Sequence, residues 1–390
     1  MKEVVIVDGV RTPIAKAGKG SYFANVMADE MGAIAIKELV RRTGIDPKII
    51  EDVIWGASLQ WAEQGYDVGR TTVLVSGLPL TIPGTTVDRY CSSGLQTIQY
   101  AVSSIMSGWG DTFVAGGVQH MSHIPMGKMK QELNPKLAEH IDYNSTSMGW
   151  TAEFIARERK ISREEQDEFA LWSHEKAATA TKARKFKEMV PVEVDVNQKD
   201  GTTKRILADT DQGIRYDATM EAQAKLPTLF GTDELATITA GNASQTSDAA
   251  AACLVMSADK AKELGLKPRL KMVSFAVTGT DPRYTMLGPV LAIPKVLARA
   301  GMRKEDIDVW EVNEAFACQS VIAQRELDLP RERLNMWGSG LSLGHPLGCT
   351  GARMTATLMN IMDEVDGKYG MVSMCAALGH GAAAIFERIK

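Results

Sequence analysis

The run Thr85-Thr86-Val87-Asp88-Arg89-Tyr90-Cys91-Ser92-Ser93-Gly94 changes character at its centre. Thr85–Arg89 is β-branched and strand-like, whereas Ser92–Met106 has helical spacing and stops at Gly108. Upstream, Val53–Ala57 reads as a strand followed by a helix-like stretch ending near Gly77. Further back, Val4–Val7 is a strand, and Asp29–Arg42 is helical with Gly44 as its C-terminal cap. Downstream, Thr112–Ala115 is a strand. The order β-α-β-α-β-α-β predicts an α/β fold with helices layered on a sheet.

The order returns later. Leu270–Val277 is a strand, Pro289–Ala300 a helix capped by Gly301, and Val309–Val312 a strand. Then come Glu314–Glu326 (helix), Leu334–Met336 (short strand), Ala352–Met362 (helix), Met371–Cys375 (strand) and Ala383–Arg388 (closing strand). The first half finds its own closing strand only at Ala251–Met256. Two copies of one layered fold are therefore expected, the first of them interrupted. The expected division is a core domain over 1–118 with 248–269, an inserted loop domain over 119–247, and a second core domain over 270–390. The insertion contains a charged, helix-like run from Ala152 to Lys187, and long excursions of this kind often bind ligands.

At 390 residues, the chain is long enough for two or three domains. A net charge of −4 gives no general attraction to nucleic acid or anionic membrane, so neither is an expected partner. No apolar run approaches the roughly 18 residues of a membrane span. Five irregularly spaced cysteines argue against a disulfide framework and for a reducing, cytoplasmic setting, and the first residues read as a strand rather than a targeting segment. Neither Cys-x-x-Cys nor His-x-x-x-His occurs, and His120, His123, His140 and His174 show no ligand spacing. No metal centre is expected.

Cys91, where strand gives way to helix, is a candidate nucleophile or else a buried structural thiol. A helix N-terminus favours thiolate by only about 0.3–1 kcal/mol, against a free pKa of about 8.5, so a base is required. His345, in Gly344-His345-Pro346-Leu347-Gly348, holds the matching place in the second half and is the natural base. Cys375 ends a strand, where its thiol could protonate or deprotonate a substrate carbon. Asn313 could cap the next helix, fix a water on a substrate carbonyl, or do both. All four fall at carboxyl ends of strands, where layered α/β folds build their sites. Cys253 and Cys318 read as core, and Cys349 as structural.

Together these segments resemble the motifs of the thiolase family. The likeness rests on Tyr90–Gln96, Gly241-Asn242-Ala243-Ser244, Asn313-Glu314-Ala315-Phe316 and Gly344–Gly348. Asp8-Gly9-Val10-Arg11-Thr12-Pro13 and Met148-Gly149-Trp150-Thr151-Ala152-Glu153 add to it. It spans nearly the whole chain, in order. The resemblance implies the thiolase-like fold, with two duplicated layered α-β-α-β-α core domains, an inserted domain that binds coenzyme A, and a homodimer or homotetramer. It implies acyl transfer through Cys91 with His345 as base, Cys375 exchanging the α-proton of acetyl-CoA, and Asn313 holding a water on the thioester oxygen. The Cys91 and Ala377 N–H groups would form a second oxyanion hole. Ser244, Met148, Ala315, Phe316 and Ala377 would line the CoA site, with CoA as substrate and no permanently bound cofactor.

The Cys-Ser-Ser-Gly-Leu-Gln run and Gly116–Met126 resemble degradative 3-ketoacyl-CoA thiolases more than acetoacetyl-CoA enzymes. A β-oxidation partner carrying the hydratase and dehydrogenase steps would fit that type. A short-chain acetoacetyl-CoA thiolase and a non-catalytic acyl-CoA-binding protein are the alternatives. The chain departs from the family at Asp88 (usually Asn), Gln119 (usually Glu), Ser147 and Ser339. It departs most at Ala376-Ala377-Leu378-Gly379, where glycines are usual.

Overall fold

The computed structural model describes residues 1–127, 132–231, 233 and 235–390. The first part contains β1 (Val4–Arg11), β2 (Ala15–Lys16), α1 (Ala28–Thr43), β3 (Asp52–Gly56), α2 (Val68–Ser76), β4 (Gly84–Val87), α3 (Ser93–Met106) and β5 (Thr112–His120). Between β5 and the next long strand lie α4 (Met148–Glu158), α5 (Arg163–Lys182), β6 (Val192–Asn197), β7 (Thr203–Ala208) and α6 (Met220–Ala224). Then follow β8 (Ser247–Ser257), α7 (Ala258–Glu263), β9 (Leu270–Gly279), α8 (Gly288–Ala300), β10 (Val309–Val312) and α9 (Ala317–Glu326). The chain finishes with α10 (Thr350–Glu364), β11 (Tyr369–Ala376) and β12 (His380–Arg388).

The strands run β4-β3-β5-β8-β1 and then β9-β12-β11-β10, and the two sets touch through the single pair Ile6–Leu270. Each set repeats one pattern. A short strand lies parallel to its neighbour (β3 with β5, β10 with β11), and the next two pairings are antiparallel. This is the duplication expected from the sequence.

Burial explains the layering. On β8, Ala249, Ala251, Cys253 and Val255 join one core, while Ala250, Ala252, Leu254 and Met256 join another. On β12, Ala382, Ala384 and Phe386 share the first core, and Ala383 and Ile385 enter a third. A period of two with both faces apolar requires cover on both sides. Leu95, Ile98 and Ile105 of α3 and Met354, Leu358 and Met362 of α10 fill the middle core. Helix α1 covers one outer face, and α8 and α9 cover the other. The result is α-β-α-β-α.

Three local expectations change. Leu334–Met336 is not a strand, because Asn335 sits at φ 47° and turns the chain after one bridge from Leu334 to Trp310. The Asn335 amide substitutes for a neighbouring strand, accepting from Val312 N–H and donating to Val312 C=O, both at 2.8 Å. The run Ala152–Lys187 is two helices, broken at Lys160 (φ 52°) and restarted by a Ser162–Glu165 capping box. Strands β6 and β7 form a hairpin that was not foreseen, although Val192, Val194 and Val196 alternate inward as a strand should. Among the described residues, no helix is long and apolar enough to cross a membrane.

Candidate active site

Cys91 ends a tight turn after β4. Asp88 Oδ1 accepts from Tyr90 N–H (2.7 Å), Arg89 N–H donates to Ser93 Oγ (2.8 Å), and Ser93 Oγ–H returns a bond to Tyr90 C=O (2.7 Å). Tyr90 is held at φ 48°, a left-handed conformation costly for a bulky residue. The turn delivers Cys91 to the start of α3, where Ser92 is the N-cap and makes no side-chain cap bond. The thiol is only 4% exposed. Burial pushes its pKa upward and Cys375 adds to this, whereas the nearby Ala377 and Cys91 backbone N–H groups pull the other way.

His345 lies in a loop that packs against the N-terminus of α3. Gly348 permits this approach, since a Cβ there would come within 2.3 Å of Val118 C=O. Gln119 Oε1 accepts from Gly348 N–H (3.1 Å) and from Ser58 N–H (3.2 Å), while its Nε2 donates to Ser58 C=O (2.9 Å). Ser247 Oγ accepts from His345 N–H (3.1 Å). The imidazole tautomer follows from Thr350. That hydroxyl gives its one proton to Pro346 C=O (2.9 Å), so at His345 Nδ1 (2.8 Å) it must accept. Nδ1 therefore carries the hydrogen and Nε2 keeps the lone pair. Burial, helped by the charge of Arg353, lowers the His345 pKa to about 3, so the ring is a neutral base.

Asn313 follows β10, with its N–H on Ser373 C=O (2.8 Å). Its Nδ2 lies 3.3 Å from both imidazole nitrogens, and its buried Oδ1 has no partner among the described residues. Cys375, next to last in β11, is fully buried, and its pKa is raised to about 12 by burial and then by Cys318. It is backed by Gly288, where a Cβ would fall 2.7 Å from Cys375 Cα. The following turn places Leu378 at φ 59° and Gly379 at φ 80°. Thr285 Oγ1 accepts from Gly379 N–H at 2.9 Å, and Gly379 C=O accepts from Thr280 N–H at 2.9 Å. All five cysteines are free, and Cys253, Cys318 and Cys349 are buried in the cores.

Thus Cys91, Cys375 and Ala377 come together, and Asn313 meets His345. Ser244 N–H bonds Ala315 C=O (2.9 Å), and Ala243 bridges Phe316. Met148, at the start of α4, and Phe316 each pack against the edge of one apolar cluster. Sequence reading missed Thr350 and Ser247, which orient His345, and treated Gln119 only as a departure. Their signal is weak: a hydroxyl five residues after His345, and polar side chains in otherwise apolar strands.

A buried thiol at a helix N-terminus, with a second thiol near enough to raise its pKa, suits a covalent acyl carrier. By class the molecule is a thiol-based acyltransferase. Profiles described as "Thiolase, N-terminal domain" and "Thiolase, C-terminal domain" match residues 4–259 and 266–388, so the chain belongs to the thiolase family. It is 45% identical to the 3-ketoacyl-CoA thiolase of Bacillus subtilis, covering 99% of this chain and 100% of that one. It is 44% identical to the 3-ketoacyl-CoA thiolase of Idiomarina loihiensis over the full length of both. The solved Bacillus anthracis acetyl-CoA acetyltransferase superposes with a TM-score of 0.88 at 36% identity, covering 100% of this chain and 99% of that one.

Proposed function

We propose that the chain catalyses CoA-dependent thiolysis of 3-ketoacyl-CoA to acetyl-CoA and a shortened acyl-CoA, reversible as a Claisen condensation. The observation that carries this reading is a buried thiol, Cys91, at the N-terminus of α3 in a chain that also holds a buried, neutral His345 oriented by Thr350. Full-length relatives bearing the 3-ketoacyl-CoA thiolase name support it.

Cys91 and His345 rest as neutral thiol and neutral imidazole, because burial disfavours the ion pair. Substrate binding brings the 3-keto carbon to Cys91. The thiol proton passes to His345 Nε2 as sulfur attacks, and the new oxyanion takes the two N–H groups, each worth about 3–4 kcal/mol of barrier. Collapse breaks the bond between the α- and β-carbons. The leaving enolate of acetyl-CoA is held by His345 and a water on Asn313, whose Oδ1 is free to accept from it. Cys375 supplies the proton to the α-carbon. Its thiolate then takes the proton of incoming CoA, whose sulfur attacks acyl-Cys91. The released Cys91 thiolate recovers its proton from His345. Both half-reactions balance, giving ping-pong chemistry.

Ser244, Met148, Ala315, Phe316 and Ala377 line the CoA site, and residues 119–247 act as the CoA-binding domain between core domains 1–118 with 248–269 and 270–390. CoA acts as substrate, with no resident cofactor. The assembly is a homodimer or homotetramer. Among the described residues, strand β4 ends its sheet with one edge unpaired, and Tyr66, Leu74, Val75 and Leu80 nearby in the chain are exposed, the kind of surface a second copy covers. The setting is cytoplasmic, beside the enzymes of β-oxidation. The likeness to an acetyl-CoA acetyltransferase favours a short-chain variant as the second reading.

The test is thiolysis of acetoacetyl-CoA beside medium- and long-chain 3-ketoacyl-CoA. Comparable or faster cleavage of the longer substrates is expected, and activity confined to acetoacetyl-CoA establishes the short-chain reading. A Cys91→Ser variant should lose at least about 10³-fold in turnover. Wild-type rates in that variant would end the covalent mechanism.

A further inference from the structure

Away from the catalytic thiols, three side chains converge without being used by the reaction. Glu63 lies in the turn Ala62–Gln64, His120 is the last residue of β5, and His123 follows in the next turn. His120 Nδ1 lies 2.5 Å from Glu63 Oε1, and His123 Nδ1 lies 3.0 Å from Glu63 Oε2. The opposite ring nitrogens are fixed by the backbone. His120 Nε2 is 3.1 Å from Phe23 C=O, and His123 Nε2 is 3.0 Å from Ala24 C=O. A carbonyl oxygen only accepts, so each Nε2 must carry hydrogen. In a neutral ring, Nδ1 is then a lone pair facing a carboxylate that also only accepts.

Each contact therefore needs a proton or a cation between its two atoms. Protonating both rings would place two imidazolium ions with centroids 3.9 Å apart, one of them on the fully buried His120. A single divalent ion satisfies all three lone pairs at once and avoids that repulsion.

We propose that Glu63, His120 and His123 form a structural binding site for one zinc-type divalent cation, with a remaining position for water. Two imidazoles and a carboxylate are a zinc donor set rather than a magnesium or calcium one. Nε2–H on a backbone carbonyl is the usual outer support of a metal-binding histidine. The donor atoms lie within 4.8 Å of one another, and an ion at about 2.0–2.2 Å from each requires the 2.5 Å His120–Glu63 contact to open to about 3.4 Å by side-chain rotation. The His123 side chain is 36% exposed, which gives the ion and its water an entry path.

The site would brace the loop that carries His345. Gln64, beside Glu63, accepts from His120 N–H (2.6 Å) and donates to Ser58 C=O (2.7 Å). Ser58 C=O also receives Gln119, which in turn holds Gly348 N–H. The ion would thus tie the segment around Phe23 and Ala24, the Glu63 turn and the end of β5 to the support of the catalytic base.

The experiment strips the full-length protein of metal, adds Zn²⁺, desalts it and measures bound zinc, with Tm recorded with and without the ion. About one Zn²⁺ per chain and a raised Tm are expected for the wild type, with binding weakened by about 10–100-fold in His123→Gln. Glu63→Gln provides a second variant. The Co²⁺ form should show no thiolate charge-transfer band, which separates this site from the active-site thiols. Equal zinc in wild type and both variants overturns the proposal. So does a wild type that takes up no zinc and loses Tm as pH rises through the histidine range, since protons would then hold the cluster.

Discussion

The two halves of the sheet are built alike but equip the site differently. Gly56, the last residue of β3, pairs with Gly117, and Val312, the last of β10, pairs with Ser373. The position two residues further on is Gln119 in the first half and Cys375 in the second. By the same register, Ala57 corresponds to Asn313. The first half therefore offers an amide where the second offers a thiol. Each serves the opposite half: Gln119 holds the Gly348 N–H of the His345 loop, while Cys375 lies near enough to Cys91 to push its thiol pKa upward. Duplication supplied two equivalent strand ends. Divergence left an amide at one of them and a thiol at the other.

The sharpest way to break this contrast is Cys375→Ala. If that strand end serves only proton transfer at carbon, thiolysis and condensation should fall by about 10²–10⁴-fold. Acylation of Cys91 by an acyl-CoA donor, read as a mass increment on the protein, should persist at near wild-type rate. Loss of acylation in step with turnover would mean that Cys375 also shapes the nucleophile. Gln119→Leu probes the other strand end. It leaves the Ser58 and Gly348 N–H groups buried without their acceptor, costing about 1–3 kcal/mol of stability in a denaturant titration. A shifted His345 should slow Cys91 acylation by up to about 10²-fold. A destabilised protein whose acylation rate is unchanged would show that Gln119 holds the fold and not the base.

The halves also differed in how much their sequences revealed. Strands such as β8 and β12 were legible as near-continuous apolar runs, because both of their faces are buried. Cys91 was legible because its turn lies between a clear strand and a clear helix. The approach to His345 was not, because Asn335 does with its side-chain amide what a strand would do with backbone, and no periodicity marks that substitution. The three lone pairs of Glu63, His120 and His123 escaped for a related reason. Glu63 is nearly sixty residues from the histidines in sequence, and only the sheet brings it to the end of β5. Thr350 was hidden because a hydroxyl that fixes a tautomer looks like any other residue in the first turn of a helix.

The smallest effect is expected at Leu378, where the chain departs most from the glycine-rich family pattern. Leu378 holds φ 59°, which costs a residue with a Cβ about 1–2 kcal/mol. Leu378→Gly removes that strain but loosens the unfolded chain by about 0.5–1 kcal/mol, so the net change in stability should stay within about 1 kcal/mol. The turn is fastened independently of the side chain by Gly379 N–H on Thr285 Oγ1 and by Ala377 C=O against His380 Nδ1 (2.8 Å). The Ala377 backbone should therefore stay in place, and thiolysis of acetoacetyl-CoA should change by no more than a few-fold. A gain confined to longer 3-ketoacyl-CoA substrates would identify the isobutyl group as a wall of the acyl pocket. A loss above tenfold on the short substrate would mean that the strained leucine itself positions the oxyanion donor. The second half would then have specialised its backbone as well as its thiol.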